Sequence, residues 1–140
     1  MTQRKAPNGL DFEILRLGIE QCDPELLLGF YAENARLSIV NVAAPHDPLF
    51  ELSGKAEIAK HLRVVFTAES SHRVERGVVS KDRVTLRETC EYPDNSRMWV
   101  ETTLKINDGK IVRQVDVVAN RGQADCAGEI GRATREPDQR

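Results

Sequence analysis

The stretch MWVETTLKINDGKIVRQVDVVAN, residues 98–120, decides the fold. Two runs rich in β-branched and apolar residues flank Asn107-Asp108-Gly109, a strong hairpin signal. The same grammar continues upstream. HRVERGVV (72–79) and RVTLRETCEY (83–92) read as strands, joined by a tight turn at SKD and followed by a turn at PDNS. From His72 to Asn120 the chain therefore reads as successive antiparallel hairpins. Within the last strand one carboxylate, Asp116, and one amide, Gln114, stand among valines and an isoleucine. A strand this apolar is normally buried, so the two polar groups need an explanation.

Upstream of the hairpins the period changes. LDFEILRLGIEQCD (10–23) sets Phe12, Leu15, Ile19 and Cys22 at helical spacing. DPELLLGFYAEN (23–34) predicts a second helix, with Asp23 as N-cap, Pro24 at the first helical position, and Leu27, Phe30 and Tyr31 turned inward. ARLSIVNV (35–42) alternates as a strand does, and LFEL (49–52) predicts a short strand. SGKAEIAKHLRVVFTA (53–68) predicts a third helix capped by Ser53, with Ile58, Leu62 and Val65 as its apolar stripe. Helices first and a meander of long strands afterwards mean α+β, with the helices packed on one face of a curved sheet. Residues 1–8 read as a frayed tail, 9–121 as a single domain, and 122–140 as a polar tail that is mobile or packs on a partner.

Period two assigns the strand faces. His72, Val74, Arg76 and Val78 share one face. Val84, Leu86, Glu88 and Cys90 share the next, then Met98, Val100, Thr102 and Leu104, then Val112, Gln114, Asp116 and Val118. Ile111, Arg113, Val115 and Val117 face the other way. The expected register sets His72 beside Cys90, Glu88 opposite Val100, and Val100 opposite Asp116. That gathers His72, Arg76, Glu88, Gln114 and Asp116 on the helix-covered surface and sends Trp99 to the outer one. Apolar walls with a few convergent polar groups describe a small-molecule pocket.

Other classes find no support. Of the 140 residues 20 are basic and 22 acidic, a net charge of -2, which gives no basic excess for nucleic acid. No apolar run reaches the roughly 18 residues of a membrane helix, and MTQRKAPNGLD lacks the apolar core of a signal peptide, so the expected address is the cytoplasm. Cys22, Cys90 and Cys126 are widely spaced and read as free thiols. His46 and His61 read as loop and helix-surface residues. The inward set offers one histidine and no ordered ligand spacing, so neither a metal nor a cofactor is expected.

The chain resembles the nuclear transport factor 2-like superfamily, in its SnoaL-like and ketosteroid isomerase-like branch. The resemblance runs over about residues 10–120 and rests on LLLGFYAENARL, LSGKAEIAKHL, SHRVERGVVSKDRV and NDGKIVRQVDVVA, in family order and spacing. It implies a cone-shaped roll: about three helices over a strongly curved mixed or antiparallel sheet that encloses a pocket, commonly dimeric through the outer sheet face, where Trp99 would sit. Asp116 matches the acid/base aspartate of SnoaL-like polyketide cyclases. Gln114 and Val115 stand where those cyclases have His and Trp. His72 matches the histidine of scytalone dehydratase-like members, and Glu20 stands where they usually have Asp. The ketosteroid isomerase residues do not carry over: their positions hold Ile39, Leu15 and Thr102. The Asp-Arg-Asp set of limonene epoxide hydrolase-like members is echoed only loosely, by Asp116, Arg76 and Glu88.

Two functional readings follow. In the first the protein is a cofactor-independent acid/base enzyme of isomerase, cyclase, dehydratase or hydrolase type, acting on a small apolar substrate. Asp116 and His72 move protons, Glu20 orients the imidazole, and Gln114, Glu88, Arg76 and Tyr31 contact the ligand. In the second it is a non-catalytic binding or dimerisation module. Each site residue has a plain structural reading as well: Asp116 paired with Arg76 or a helix group, Glu88 paired with Arg76, Gln114 satisfying Asp116, His72 as a hydrogen-bonded core residue, Glu20 as a solvated helix residue, and Tyr31 as packing.

Overall fold

Asp108 and Gly109 both adopt positive φ, 57° and 78°. This is the turn whose twist matches that of flanking strands. It joins β5 (Arg97–Asn107) to β6 (Lys110–Asn120), with Asn107 paired to Lys110. Outward from this hairpin, β4 (Arg83–Glu91) and β3 (Ser71–Val79) extend the antiparallel meander on one side. On the other side β1 (Tyr31–Asn41) runs parallel to β6, and β2 (Phe50–Ser53) pairs with β1 at the edge. The six strands lie in the order β2-β1-β6-β5-β4-β3. The computed structural model describes residues 9–44, 46–67 and 69–120. The expected tails, and Cys126 with them, lie outside the described residues.

Among the described residues three helices cover one sheet face. In α1 (Phe12–Glu20) the cap is Asp11, whose carboxylate accepts the Ile14 N–H. In α2 (Pro24–Leu28) Asp23 does the same for Leu26, with Pro24 in the first turn as expected. The second helix is shorter than its sequence predicts. It stops before Gly29, and the Phe30 carbonyl accepts the Ile111 N–H at 2.8 Å. That bond feeds the chain into the sheet, so Tyr31 opens β1 instead of closing a helix. The predicted cap of the third helix also moves. The N-cap of α3 (Lys55–Val65) is Gly54 at φ 93°, and Ser53 instead donates its backbone N–H to Glu57.

Leu15, Ile19, Leu27, Ile58 and Leu62 of the helices meet Leu37, Val84, Leu86, Leu104 and Ile111 of the sheet in one buried cluster. Each such side chain taken from water contributes about 2 kcal/mol. The β1–β6 pairing slips between Tyr31 and Arg36, and two further slips adjust the faces of the site. Pairing slips between Val74 and Arg76 on β3, and Lys105–Ile106 of β5 faces a slip on β6 that leaves Val112 as the extra residue. The second slip turns Ile111 inward, against the parity expectation, while Gln114, Asp116 and Val118 keep the expected face. It also brings Asp116 opposite Thr102, two residues along from the expected Val100. Among the described residues no helix is long and apolar enough to cross a membrane.

Gly77 shows how tightly α1 meets the edge strand. A Cβ there would lie 2.2 Å from the ring tip of Phe12. Gly77→Ala is expected to push Phe12 aside and cost about 1 kcal/mol in chemical denaturation. In a Phe12→Leu background the cost should largely vanish; an equal cost in both backgrounds would refute the contact as its source.

Candidate functional site

Helices and sheet diverge to leave a cavity of about 560 Å³. Its walls are apolar: Leu15, Ile19 and Leu27 from the helices, Leu37, Leu86, Val100, Leu104 and Val118 from the sheet. Val64, Glu69 and Asp94 line it and are also exposed, which sets its mouth between the end of α3 and the β4–β5 turn.

The floor carries Asp116. Its Oδ1 accepts two hydrogen bonds, from Thr102 Oγ1 at 2.9 Å and from Gln114 Nε2 at 2.8 Å. The Tyr31 hydroxyl donates to Gln114 Oε1, which fixes the amide so that its NH₂ faces the carboxylate. Asp116 Oδ2 accepts no hydrogen bond among the described residues, and the residue lines the cavity. Burial pushes the Asp116 carboxyl from 3.8 up to about 6; the two hydrogen bonds oppose the rise and the charge of Glu88 adds to it. Burial likewise pushes the Tyr31 phenol far up, so it keeps its proton and remains a donor.

A second polar cluster sits on the β4 wall. His72 Nδ1 lies 2.6 Å from Glu88 Oε2 and 3.3 Å from Cys90 Sγ, and Cys90 Sγ lies 3.5 Å from the same oxygen. Ser70 Oγ meets the other ring nitrogen, Nε2, at 3.1 Å. The ring of Phe66 stands 4.5 Å from that of His72. Burial first, and Glu88 second, push the Cys90 thiol up, so it stays protonated and acts as a donor, not a nucleophile. The three ligand-type atoms lie within 4.8 Å of one another, a convergence the spacing in the sequence does not suggest.

The structure thus brings Asp116, Gln114, Glu88 and Tyr31 to one cavity. It does not bring the other three candidates there. His72 stands one layer back: Phe66, Ser70, Glu88 and Cys90, which surround it, line the cavity, and the imidazole does not. Glu20 is committed elsewhere. One oxygen pairs with Arg16 at 3.0 Å and the other accepts the Val74 N–H at 2.9 Å. β3 is the edge strand, and the carboxylate satisfies a backbone donor that has no neighbouring strand. The dyad with His72 is absent. Arg76 lies on the outer face, its side chain 65% exposed, 3.9 Å from Glu101. The β3 bulge at Glu75 reverses the parity that pointed it inward.

Sequence reading missed His61. It lines the cavity, packs edge-on against Phe50 with centroids 5.4 Å apart, and burial lowers its pKa. The signal was present. His61 stands three residues after Ile58 and four before Val65, on the apolar stripe of its helix. Thr102 was missed as a partner of Asp116 because it depends on the β6 bulge.

An NTF2-like protein of unknown function from Mesorhizobium loti superposes with a TM-score of 0.66 at 19% identity, over 84% of this chain and 96% of that one. A candidate ketosteroid isomerase from Kribbella flavida DSM 17836 gives 0.65 at 13% identity, over 80% of this chain and 77% of that one. A de novo designed protein with a curved β-sheet gives 0.63 at 14% identity, over 87% and 94%. At these identities the likeness shows the shared fold and nothing of the chemistry. No curated protein matches the sequence. The family model described as SnoaL-like domain matches residues 13–114. The chain therefore belongs to the SnoaL-like domain family, with the helix-roofed, NTF2-like sheet that its hairpins and helices predict.

Proposed function

We propose that the cavity binds a small, mostly apolar molecule and that Asp116 exchanges a proton with it, without a cofactor, in an isomerisation, cyclisation, dehydration or hydrolysis. One observation carries this reading: a carboxyl raised to about 6 by burial on the floor of an apolar cavity, whose Oδ2 accepts no hydrogen bond among the described residues. A group titrating near neutrality can both take and return a proton. Gln114 and Thr102 steady Oδ1, and Tyr31 steadies Gln114. Glu88 is the polar anchor for the ligand. His72 positions Glu88 and does not touch substrate.

The test is proton exchange. The protein is incubated in D₂O with a panel of small cyclic ketones, and loss of the α-proton signal is followed by NMR. Wild type should accelerate exchange of at least one by about a hundredfold or more, and Asp116→Asn should not. Ligand binding with no acceleration would favour the second reading, a non-catalytic binding module. That alternative draws support from Gln114, which replaces the cyclase-type histidine.

The free thiols Cys22 and Cys90 fit the reducing cytoplasm. We further propose a homodimer through the outer sheet face, where the Arg87 guanidinium lies 4.5 Å over the Trp99 ring. Light scattering should give twice the chain mass at micromolar concentration, and Trp99→Glu should halve it. A wild type that stays monomeric refutes the interface.

A further inference from the structure

Charge is sorted across the sheet. Four carboxylic acids line the cavity, Glu88 and Asp116 inside and Glu69 and Asp94 at its mouth, and no Lys or Arg does so among the described residues. The basic side chains of the same strands, among them Arg73, Arg87, Lys105 and Arg113, lie away from it. An anionic ligand would enter past two carboxylates and meet two more, with no Lys or Arg side chain to receive it among the described residues. Glu88 adds a second, independent observation. Its side chain is only 9% exposed, its Oε2 is held by His72 and Cys90, and its Oε1 accepts no hydrogen bond among the described residues. A largely buried carboxylate with one oxygen open to an apolar cavity is a ready acceptor for a donor or cation inside it. Phe50, Phe66 and Tyr92 line the same space, and aromatic rings attract cations over their faces.

From this we infer that the ligand carries an amine: the cavity is a site for a lipophilic ammonium ion, with Glu88 Oε1 as its hydrogen-bonding counter-charge. Alkyl amines are protonated at neutral pH, as the lysine side chain is. Their N–H donors match the vacant carboxylate oxygen, and their hydrocarbon body matches the walls. The assignment rests on reading the cavity as a small-molecule site. It divides the labour of the two inner acids, with Glu88 holding the ligand by its charge and Asp116 left to exchange protons.

The experiment uses three probes of one shape on the full chain: naphthylmethylamine, naphthylmethanol and naphthoate, with affinities from calorimetry. The amine should bind about tenfold tighter than the alcohol, and the carboxylate weaker than both. Glu88→Gln keeps the size of the side chain and an oxygen for His72; it should lower amine affinity about tenfold and leave the alcohol unchanged. Equal binding of amine and alcohol, or tightest binding by naphthoate, overturns the charge assignment and leaves the small-molecule reading standing. Failure of all three probes to bind overturns both. The wild-type series decides the matter even if Glu88→Gln does not fold.

Discussion

Asp116→Asn is expected to make the protein more stable at neutral pH while abolishing proton exchange. The carboxyl ordinarily titrates at 3.8 and is raised to about 6 by burial, so between these values the folded state holds a proton that the unfolded state has lost. Stability contributed by this group is full below 3.8, falls as pH rises through about 6, and stays low above it. The penalty above that point is about 2 kcal/mol, allowing for water in the cavity. Asparagine keeps an oxygen to accept from Thr102 and Gln114 and carries no charge. The gain in unfolding free energy from Asp116→Asn should therefore be near zero at pH 4 and reach about 2 kcal/mol at pH 8. A variant less stable than wild type at both pH values would mean that Asp116 is a structural acid.

The second large effect concerns the pair behind the cavity wall. His72→Leu removes the 2.6 Å partner of Glu88 and leaves a carboxylate in apolar surroundings with only a thiol 3.5 Å away. Breaking a buried pair in this way should cost about 3 kcal/mol in urea denaturation. The double variant His72→Leu/Glu88→Leu replaces both partners by hydrocarbon and should recover most of that loss. The resulting coupling, about 2 kcal/mol, is what a double-mutant cycle reads. Additive single effects would show that His72 does not position Glu88.

The contrast between these residues and the corrected ones shows what the chain spells out locally. Gln114 and Asp116 were legible because period-two alternation on a strand is set by backbone geometry, and a polar pair on the apolar face stands out. The two-residue turn at Asp108-Gly109 fixed the hairpin in the same local way. Arg76 was misplaced because a bulge inserts one residue and inverts every face beyond it; Gly77, in the interior of the same strand, is the local signal for it. Tyr31 was found as an inward residue but given to a helix. What makes it a strand residue is pairing with Ile111, a partner 80 positions away in sequence. Glu20 looked like a partner for His72 by family position; the backbone donor on edge strand β3 claimed it instead. The cavity itself is lined from helices and strands far apart in sequence, so no local pattern announces it.

The role proposed for Asp116 is that of a proton-exchanging group at the floor of an apolar cavity. Its most direct test is a ¹³C NMR titration of the Asp116 carboxyl in the folded wild-type protein, assigned by comparison with Asp116→Asn. The account predicts a midpoint near pH 6, two units above an ordinary aspartate. A midpoint at or below 4 would show a solvated or strongly paired carboxylate and would contradict it.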